Sequence, residues 1–303
     1  MGEQTKTSAR MAGPSGRPGP EELAGGTPPV NDSAFARWLA DRAGQVLLQV
    51  RAETGHDDGK ALKAAGDQAA HELLRAELAR WRPADAVLSE EDEQSRVAWT
   101  EENRTEGGSR SDRLGANRVW IVDPLDGTRE FSEEGRDDWA VHVALWTADS
   151  SAPARLTAGA VAMPARHCTL ATDHAPAYPP MPLESATGGA IRIAASRTRP
   201  PAFVTALAAE IGAELVPMGS AGVKIAAVIN GEADAYVHAG GQYEWDSAAP
   251  VAVALATGLH ASRIDGTPLV YNRADPKLPD LVVCRKDLAP RLLAALQRHL
   301  PSQ

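Results

Sequence analysis

Cysteine is scarce in this 303-residue chain: Cys168 and Cys284 stand far apart and are its two representatives. No CxxC pair and no Cys/His ligand spacing occurs, so neither a zinc site nor a disulfide framework is indicated. Two ordinary buried thiols in a reducing compartment are expected instead. Long apolar runs are missing as well. Nothing approaches the roughly 18 apolar residues of a membrane span, and no apolar signal-peptide core opens the chain. A cytosolic protein with no membrane partner is the expectation. Basic residues are outnumbered, 31 Lys and Arg against 40 Asp and Glu, for a net charge of -9. That balance argues against a nucleic-acid partner, whose surface would need clustered cations. A P-loop is absent, no Gly-x-Gly-x-x-Gly follows a strand, and no internal repeat is visible.

What remains is an ordinary globular composition, 43% hydrophobic and 23% charged, long enough for one large or two ordinary domains. Residues 1–30 are rich in Gly, Pro, Ser and Thr, without apolar periodicity, and read as a disordered extension. Helical patterning begins near Asp32, a candidate N-cap, and runs through Phe35, Leu39, Leu47 and Val50. A second helix is expected over about Asp67–Arg80. The short strand Ala86-Val87-Leu88 then runs into the acidic stretch Ser89-Glu90-Glu91-Asp92-Glu93. Residues 92–117 read as a long loop, and the apolar run Arg118–Asp123, stopped by Pro124, as a strand. Strands near 139–147 and 157–163 close a first half, residues 31–180. The Pro/Gly-rich segment 173–190 reads as a hinge to a second half, residues 190–303. There the expected elements are strand Ile191–Ala195, helix Pro201–Ile211, strand Glu214–Pro217, a helix from Ala221 to an Asn230-Gly231 cap, strand Ala233–His238, helix Ser247–Thr257, two short strands and a terminal helix.

The chemistry concentrates where that strong strand ends. Asp123 and Asp126 lie three residues apart, Pro124 stops the ladder and Gly127 permits a tight turn, so both carboxylates can converge at the strand's C-terminal edge. Clustered carboxylates repel and call for a cation, and hard oxygen ligands suit Mg²⁺. Taken alone, Asp-x-x-Asp-Gly fits equally well a turn in which Asp126 bonds its own backbone. The N–H groups of Gly127-Thr128 can cradle a phosphate, and the Thr128 hydroxyl can orient water or cap a helix. Glu90 is the first residue out of an apolar strand, which favours it as a ligand over Glu91–Glu93. Asp246 reads as a helix N-cap or as a ligand pinned beside Trp245. Gly219-Ser220-Ala221-Gly222-Val223-Lys224 starts a helix that can hold an anion or simply pack small residues. The spacing Asp-x-x-Asp-Gly-Thr is one residue longer than the Asp-x-Asp-Gly-Thr of haloacid-dehalogenase phosphatases, which suits two metal ligands better than a nucleophile and its acid.

Four ordered segments carry a resemblance: Gly66-Asp67-Gln68, Leu88-Ser89-Glu90-Glu91, Trp120 to Thr128, and Trp245-Asp246-Ser247-Ala248-Ala249. Together they resemble the inositol monophosphatase superfamily of Mg²⁺-dependent, lithium-sensitive phosphatases over about residues 32–300. Gly127-Thr128-Arg129-Glu130-Phe131, Ala195-Ser196-Arg197 and the Gly219–Lys224 segment are similar to its 3'(2'),5'-bisphosphate nucleotidases of actinobacterial type. The resemblance implies an α+β sugar-phosphatase fold, layered αβαβα, with the active site between two α+β halves. It implies two to three Mg²⁺ ions. Glu90, Asp123 and the Leu125 carbonyl would hold the first, Asp123, Asp126 and Asp246 the second, and Glu90 with waters a third. Thr128 and Asp67 would help activate water for in-line attack without a phosphoenzyme, and Glu90 joins them as a catalytic residue. Substrate contacts would come from Glu90, Leu125, Asp126, Gly127, Thr128, Ser196, Gly219, Ser220 and Asp246, with Arg129, Arg197 and Lys224 as candidates to neutralise a further phosphate. The family's acidic inositol contact falls near His238 and is missing. The implied reaction is 3'-phosphoadenosine 5'-phosphate to AMP and phosphate in sulfate assimilation, with the sulfated analogue as a second substrate. The alternative is a broad inositol 1-phosphate or fructose 1,6-bisphosphate phosphatase. A homodimer is the family habit.

Overall fold

Five layers of alternating helices and sheets build the molecule, as a computed structural model describes it over residues 27–92, 113–149, 152–178 and 189–299. The expectations for the N-terminal extension, the acidic loop and the hinge fall largely on residues outside these. Two long helices form the first layer, α1 (Asp32–Thr54) and α2 (Gly59–Trp81). The cap of α1 is Asn31 rather than Asp32: the Asn31 carboxamide accepts the Ser33 and Ala34 N–H groups. Helix α2 starts eight residues before the expected Asp67, because Asp58 caps Lys60 and Ala61. An Asx cap ahead of a weakly apolar first turn is the signal that periodicity alone passes over.

The first sheet runs in the order β1 (Ala86–Ser89), β2 (Arg118–Asp126), β3 (Ala140–Asp149), β4 (Ala152–Met163) and β5 (Cys168–Ala171). Its β1–β2 pair is parallel and the rest antiparallel. β5 has no counterpart in the sequence expectations. The short helix α3 (Thr128–Ser132) follows β2. The second sheet contains β6 (Ile191–Ser196), β7 (Ala213–Met218), β8 (Ala235–Tyr243), β9 (His260–Ser262) and β10 (Lys277–Cys284), ordered β7-β6-β8-β10-β9. Its helices are α4 (Ala202–Ile211), α5 (Ala221–Ile229), α6 (Glu244–Thr257) and α7 (Ala289–His299). β8 runs to Tyr243 rather than His238, and α6 begins at Glu244 rather than Ser247.

Burial explains the layering. One face of the first sheet (Trp120, Val122, Val143, Leu145) packs with Phe35, Leu39, Leu62 and Leu74 of α1 and α2. Its other face (Ile121, Ala144, Val161) shares a core with α5 and α6 and with the inner face of the second sheet (Ala194, Tyr236, Leu281). The outer face of the second sheet (Ile193, Val237, Val282) is covered by α4 and α7. Strands buried on both faces, as β2 is from Val119 onward, belong in a doubly covered sheet. α5, in the middle layer, is all Ala, Val, Ile and Gly but for Lys224, and its neighbour α6 is buried along most of its length, for the same reason. No helix among the described residues is long and apolar enough to cross a membrane. Both cysteines are free thiols; Cys284 is buried as expected, whereas Cys168 is only half-buried.

Candidate active site

The end of β2 and the start of α6 meet where the first sheet packs on the middle layer. One ligand oxygen each of Asp123, Asp126 and Asp246 lies within 4.8 Å of the other two. Where the pairing of β2 with β3 shifts before Asp126, Asp123 is 1% exposed, and its Oδ1 accepts the Leu125 N–H at 3.0 Å; Pro124 thus interrupts the strand without stopping it, since β2 runs on to Asp126. The self-bonding aspartate of this turn is therefore Asp123, whereas the turn reading had assigned that bond to Asp126. Gly127 adopts φ 86°, a left-handed conformation that a side chain would strain. It is also the N-cap position of α3. Thr128 is thus the first helical residue, not the cap, and its hydroxyl donates to the Leu125 carbonyl at 3.1 Å.

Asp126 is docked on the start of α5. Its Oδ2 accepts the Ser220 hydroxyl at 2.5 Å and the Gly222 N–H at 2.6 Å, and its Oδ1 accepts the Ala221 N–H at 3.2 Å. A carboxylate at a helix N-terminus meets unpaired N–H groups and the positive end of the dipole. Ser220 also caps Val223, and does so at φ 36°. Asp246 sits in the first turn of α6, not at its N-cap; its Oδ2 reaches back to the Tyr243 N–H at 2.6 Å. Either way one oxygen is committed to the helix start and the other is left for the cluster.

Electrostatics makes this cluster a poor resting place without a cation. Burial pushes the Asp123 carboxyl well above its ordinary range, and the charges of Glu90, Asp126 and Asp246 add to it, as does a hydrogen bond that protonated Asp123 shares with Glu90. Burial, then the Asp126 charge, pushes Asp246 up to about 8. Glu90, just beyond β1, acts on Asp123 of this cluster. Its backbone N–H is held by the Val122 carbonyl at 3.3 Å. The donor set is entirely carboxylate and carbonyl oxygen, the chemistry of a hard divalent cation rather than a soft one. Asp67 lies half-buried in the middle of α2, one residue after Gly66, whose position faces Phe131 and Leu125.

The cations proposed for a further phosphate are otherwise engaged. Arg129 points to solvent and pairs with Glu133 at 3.0 Å. Arg197 is held by Glu130 at 3.0 Å and Glu133 at 2.8 Å. Lys224 is buried with its ammonium donating to the Gly219 and Ser220 carbonyls at 2.8 and 2.7 Å, and burial lowers its pKa. Ser196, at the end of β6, accepts the Arg199 N–H at 3.3 Å. Gly219 donates its N–H to Asp138 at 2.6 Å. Burial raises the Asp138 carboxyl, but its bonds from Arg136 and Gly219 outweigh that and hold it below its ordinary value.

Sequence reasoning missed Asp138, Glu130 and, above all, His142. This imidazole on β3 is fully buried. Its Nδ1 lies 3.0 Å from the Trp245 carbonyl and its Nε2 3.3 Å from Asp126 Oδ2. A Cβ on Gly222 would stand 1.9 Å from Nε2, so only glycine lets α5 approach. The available signal was a polar residue on the inward-facing alternation Ala140-His142-Ala144.

Known proteins agree with this architecture. Residues 31–300 match the inositol monophosphatase family. A 3'-phosphoadenosine 5'-phosphate phosphatase of Mycobacterium leprae is 48% identical over 276 residues, covering 88% of this chain and 94% of that protein. The Escherichia coli (strain K12) 3'(2'),5'-bisphosphate nucleotidase CysQ is 30% identical, covering 77% and 91%. Among solved structures, inositol monophosphatase II of Staphylococcus aureus superposes with a TM-score of 0.65 at 19% identity, covering 86% of this chain and 94% of that one. Mycobacterium tuberculosis SuhB gives 0.61 at 23% identity, covering 90% and 98%. With two covered sheets, helix-docked carboxylates at their junction and these relatives, the chain belongs to the inositol monophosphatase family.

Proposed function

We propose that this chain hydrolyses the 3'-phosphate of 3'-phosphoadenosine 5'-phosphate, giving AMP and phosphate, with Mg²⁺ as cofactor. The observation that carries the reading is the buried Asp123–Asp126–Asp246 cluster, short of positive charge, in a chain about half identical to phosphatases named for that substrate. Glu90, Asp123 and the Leu125 carbonyl would hold one cation, and Asp123, Asp126 and Asp246 another. When bound, such ions act as Lewis acids that make water a nucleophile near neutral pH and balance the charge on the phosphoryl oxygens.

The chain's own groups divide the remaining work. The α5 N–H groups and the Ser220 hydroxyl fix the Asp126 carboxylate, and the Tyr243 N–H fixes that of Asp246. Held by folding rather than by substrate, these carboxylates need no rearrangement at the moment of reaction. Thr128, whose hydroxyl donates to the Leu125 carbonyl, would orient the attacking water, and Asp67 would take up its proton. No side chain is required as a nucleophile, so no phosphoenzyme forms.

Phosphate release from 3'-phosphoadenosine 5'-phosphate, inositol 1-phosphate and fructose 1,6-bisphosphate at equal Mg²⁺ tests the reading. The nucleotide should show the highest kcat/KM. If it is the poorest of the three, the nucleotide assignment is wrong; full activity in excess chelator would remove the metal from the reading.

A further inference from the structure

A cavity of about 760 Å³ is lined by Gly241, Gln242, Tyr243, Arg273, Lys277 and Leu278 among others. That volume falls within the range of roughly 300–1,000 Å³ typical of small-molecule sites. Tyr243 joins it to the reaction centre, since its N–H is bonded to Asp246 while the residue also lines the cavity. We propose that this cavity receives the nucleoside half of the substrate, with the planar base against Tyr243 and the non-reacting phosphate against Arg273 and Lys277. The inference rests on the nucleotide reading above and adds to it the residues that distinguish a nucleotide from other phosphate esters.

Three observations carry it. First, the Tyr243 ring stacks on the buried Trp245, with centroids 4.5 Å apart and planes within 4°. One face of a half-exposed ring is thus braced, and the opposite face is available to a base, which stacks on any rigid π-surface. Second, β8 and β10 pair with Lys277 directly opposite Tyr243. Opposed residues of an antiparallel pair share a sheet face at roughly 5 Å, so a ligand on the ring comes within reach of the ammonium. Third, Arg273 stands on an anchored backbone: its N–H is held by Glu244 Oε1 at 2.8 Å and its carbonyl by the Arg113 guanidinium at 3.1 Å.

Charge favours the same occupant. Arg273 and Lys277 are exposed and, among the described residues, make no ion pair, unlike Arg129 and Arg197. They also line an adjoining cavity of about 310 Å³, so both stand on the ridge between the two hollows. Asp275 lines the larger one too, but its carboxylate accepts the Lys277 N–H at 3.1 Å. Two cations against one engaged carboxylate fit a phosphate dianion, and an arginine fork can bind two of its oxygens at once.

The experiment compares the wild-type enzyme with an Arg273→Ala/Lys277→Ala variant on adenosine 3',5'-bisphosphate, adenosine 3'-monophosphate and inositol 1-phosphate. Losing two charge-assisted contacts should raise KM for the bisphosphate by about ten- to a hundredfold. kcat should hold, and KM for the other two should stay within about twofold. An unchanged KM for the bisphosphate, or equal losses on all three, overturns the inference while leaving the nucleotide reading intact. A wild-type enzyme that does not hydrolyse the bisphosphate overturns both. Arg273→Glu/Lys277→Glu serves as a second variant, with a larger KM effect expected on the same substrate alone. For the base, Tyr243→Leu keeps the backbone N–H. It should raise KM for adenosine 3'-monophosphate relative to inositol 1-phosphate by about tenfold; an unchanged ratio overturns the placement on Tyr243.

Discussion

Replacing Gly222 by alanine tests how tightly the site is built. The added Cβ would lie 1.9 Å from His142 Nε2, 2.6 Å from Cε1 and 3.0 Å from Cδ2, well inside the 3.4 Å at which ordinary contact begins. The imidazole has no room to retreat, being fully buried with Nδ1 held by the Trp245 carbonyl at 3.0 Å. Relief must come from the start of α5, and that movement lengthens the Gly222 N–H bond to Asp126. Overpacking of this kind costs about 1–3 kcal/mol, and the weakened charge-assisted bond adds about 1 kcal/mol more. For a chain of this size, each kcal/mol lowers Tm by roughly 2–4 °C. Thermal unfolding of G222A without Mg²⁺ should therefore show a drop of roughly 4–16 °C. In a His142→Ala background the ring is gone, and the same change should cost far less, giving a coupling of about 1–3 kcal/mol in the double-mutant cycle. Equal losses in both backgrounds would refute the contact as the cause.

Other outcomes follow from the same geometry. Mg²⁺ should raise the Tm of the wild type, by an amount equivalent to about 2.7 kcal/mol at a hundred times Kd. Asp123→Asn, which removes one repelling charge from the buried cluster, should unfold no earlier than wild type without Mg²⁺, show little Mg²⁺-induced stabilisation and lose phosphate release. Undiminished phosphate release would sink the cluster as the metal centre. Thr128→Val should fold normally and keep Mg²⁺ stabilisation while kcat falls tenfold or more (roughly, for a lost water-orienting group); an unaltered kcat removes Thr128 from the chemistry. Glu244→Gln breaks the charge behind the Asn272 and Arg273 N–H bonds of 2.6 and 2.8 Å. It should destabilise by about 1.5–3 kcal/mol by denaturant titration. Arg129→Ala should change stability by less than about 1 kcal/mol, since its pair with Glu133 is exposed, and a large loss of turnover would show that Arg129 leaves that pair to meet substrate.

Much of this molecule is written in local pattern. The apolar run that opens β2, the amphipathic α1 and the Asn230 cap of α5 each depend on neighbours within one or two turns, so they can be read without the fold; the strand's continuation past Pro124 to Asp126, through an irregularity in its pairing with β3, cannot. Element starts were less legible. Asp58 and Asn31 act as caps through side-chain bonds that compete with equally good Asx candidates nearby. At α6, Glu244 and Trp245 do not look like a first turn until Asp246 is seen bonding back to Tyr243. Among the site residues, Asp123 and Asp126 stood out because spacing and a turn place them together.

By itself, then, the sequence determined the layered α+β class and the family and singled out the aspartates of the cluster, because those reside in short ordered motifs whose chemistry is intrinsic to their residue types. Tertiary structure alone decided who compensates whom. Asp126 meets the N-terminus of a helix that begins 95 residues later, His142 is packed between that aspartate and the Trp245 carbonyl, and Arg197 is taken up by Glu130 and Glu133. Such pairings join residues from different layers, and their strength depends on burial and distance, quantities that no spacing along the chain contains.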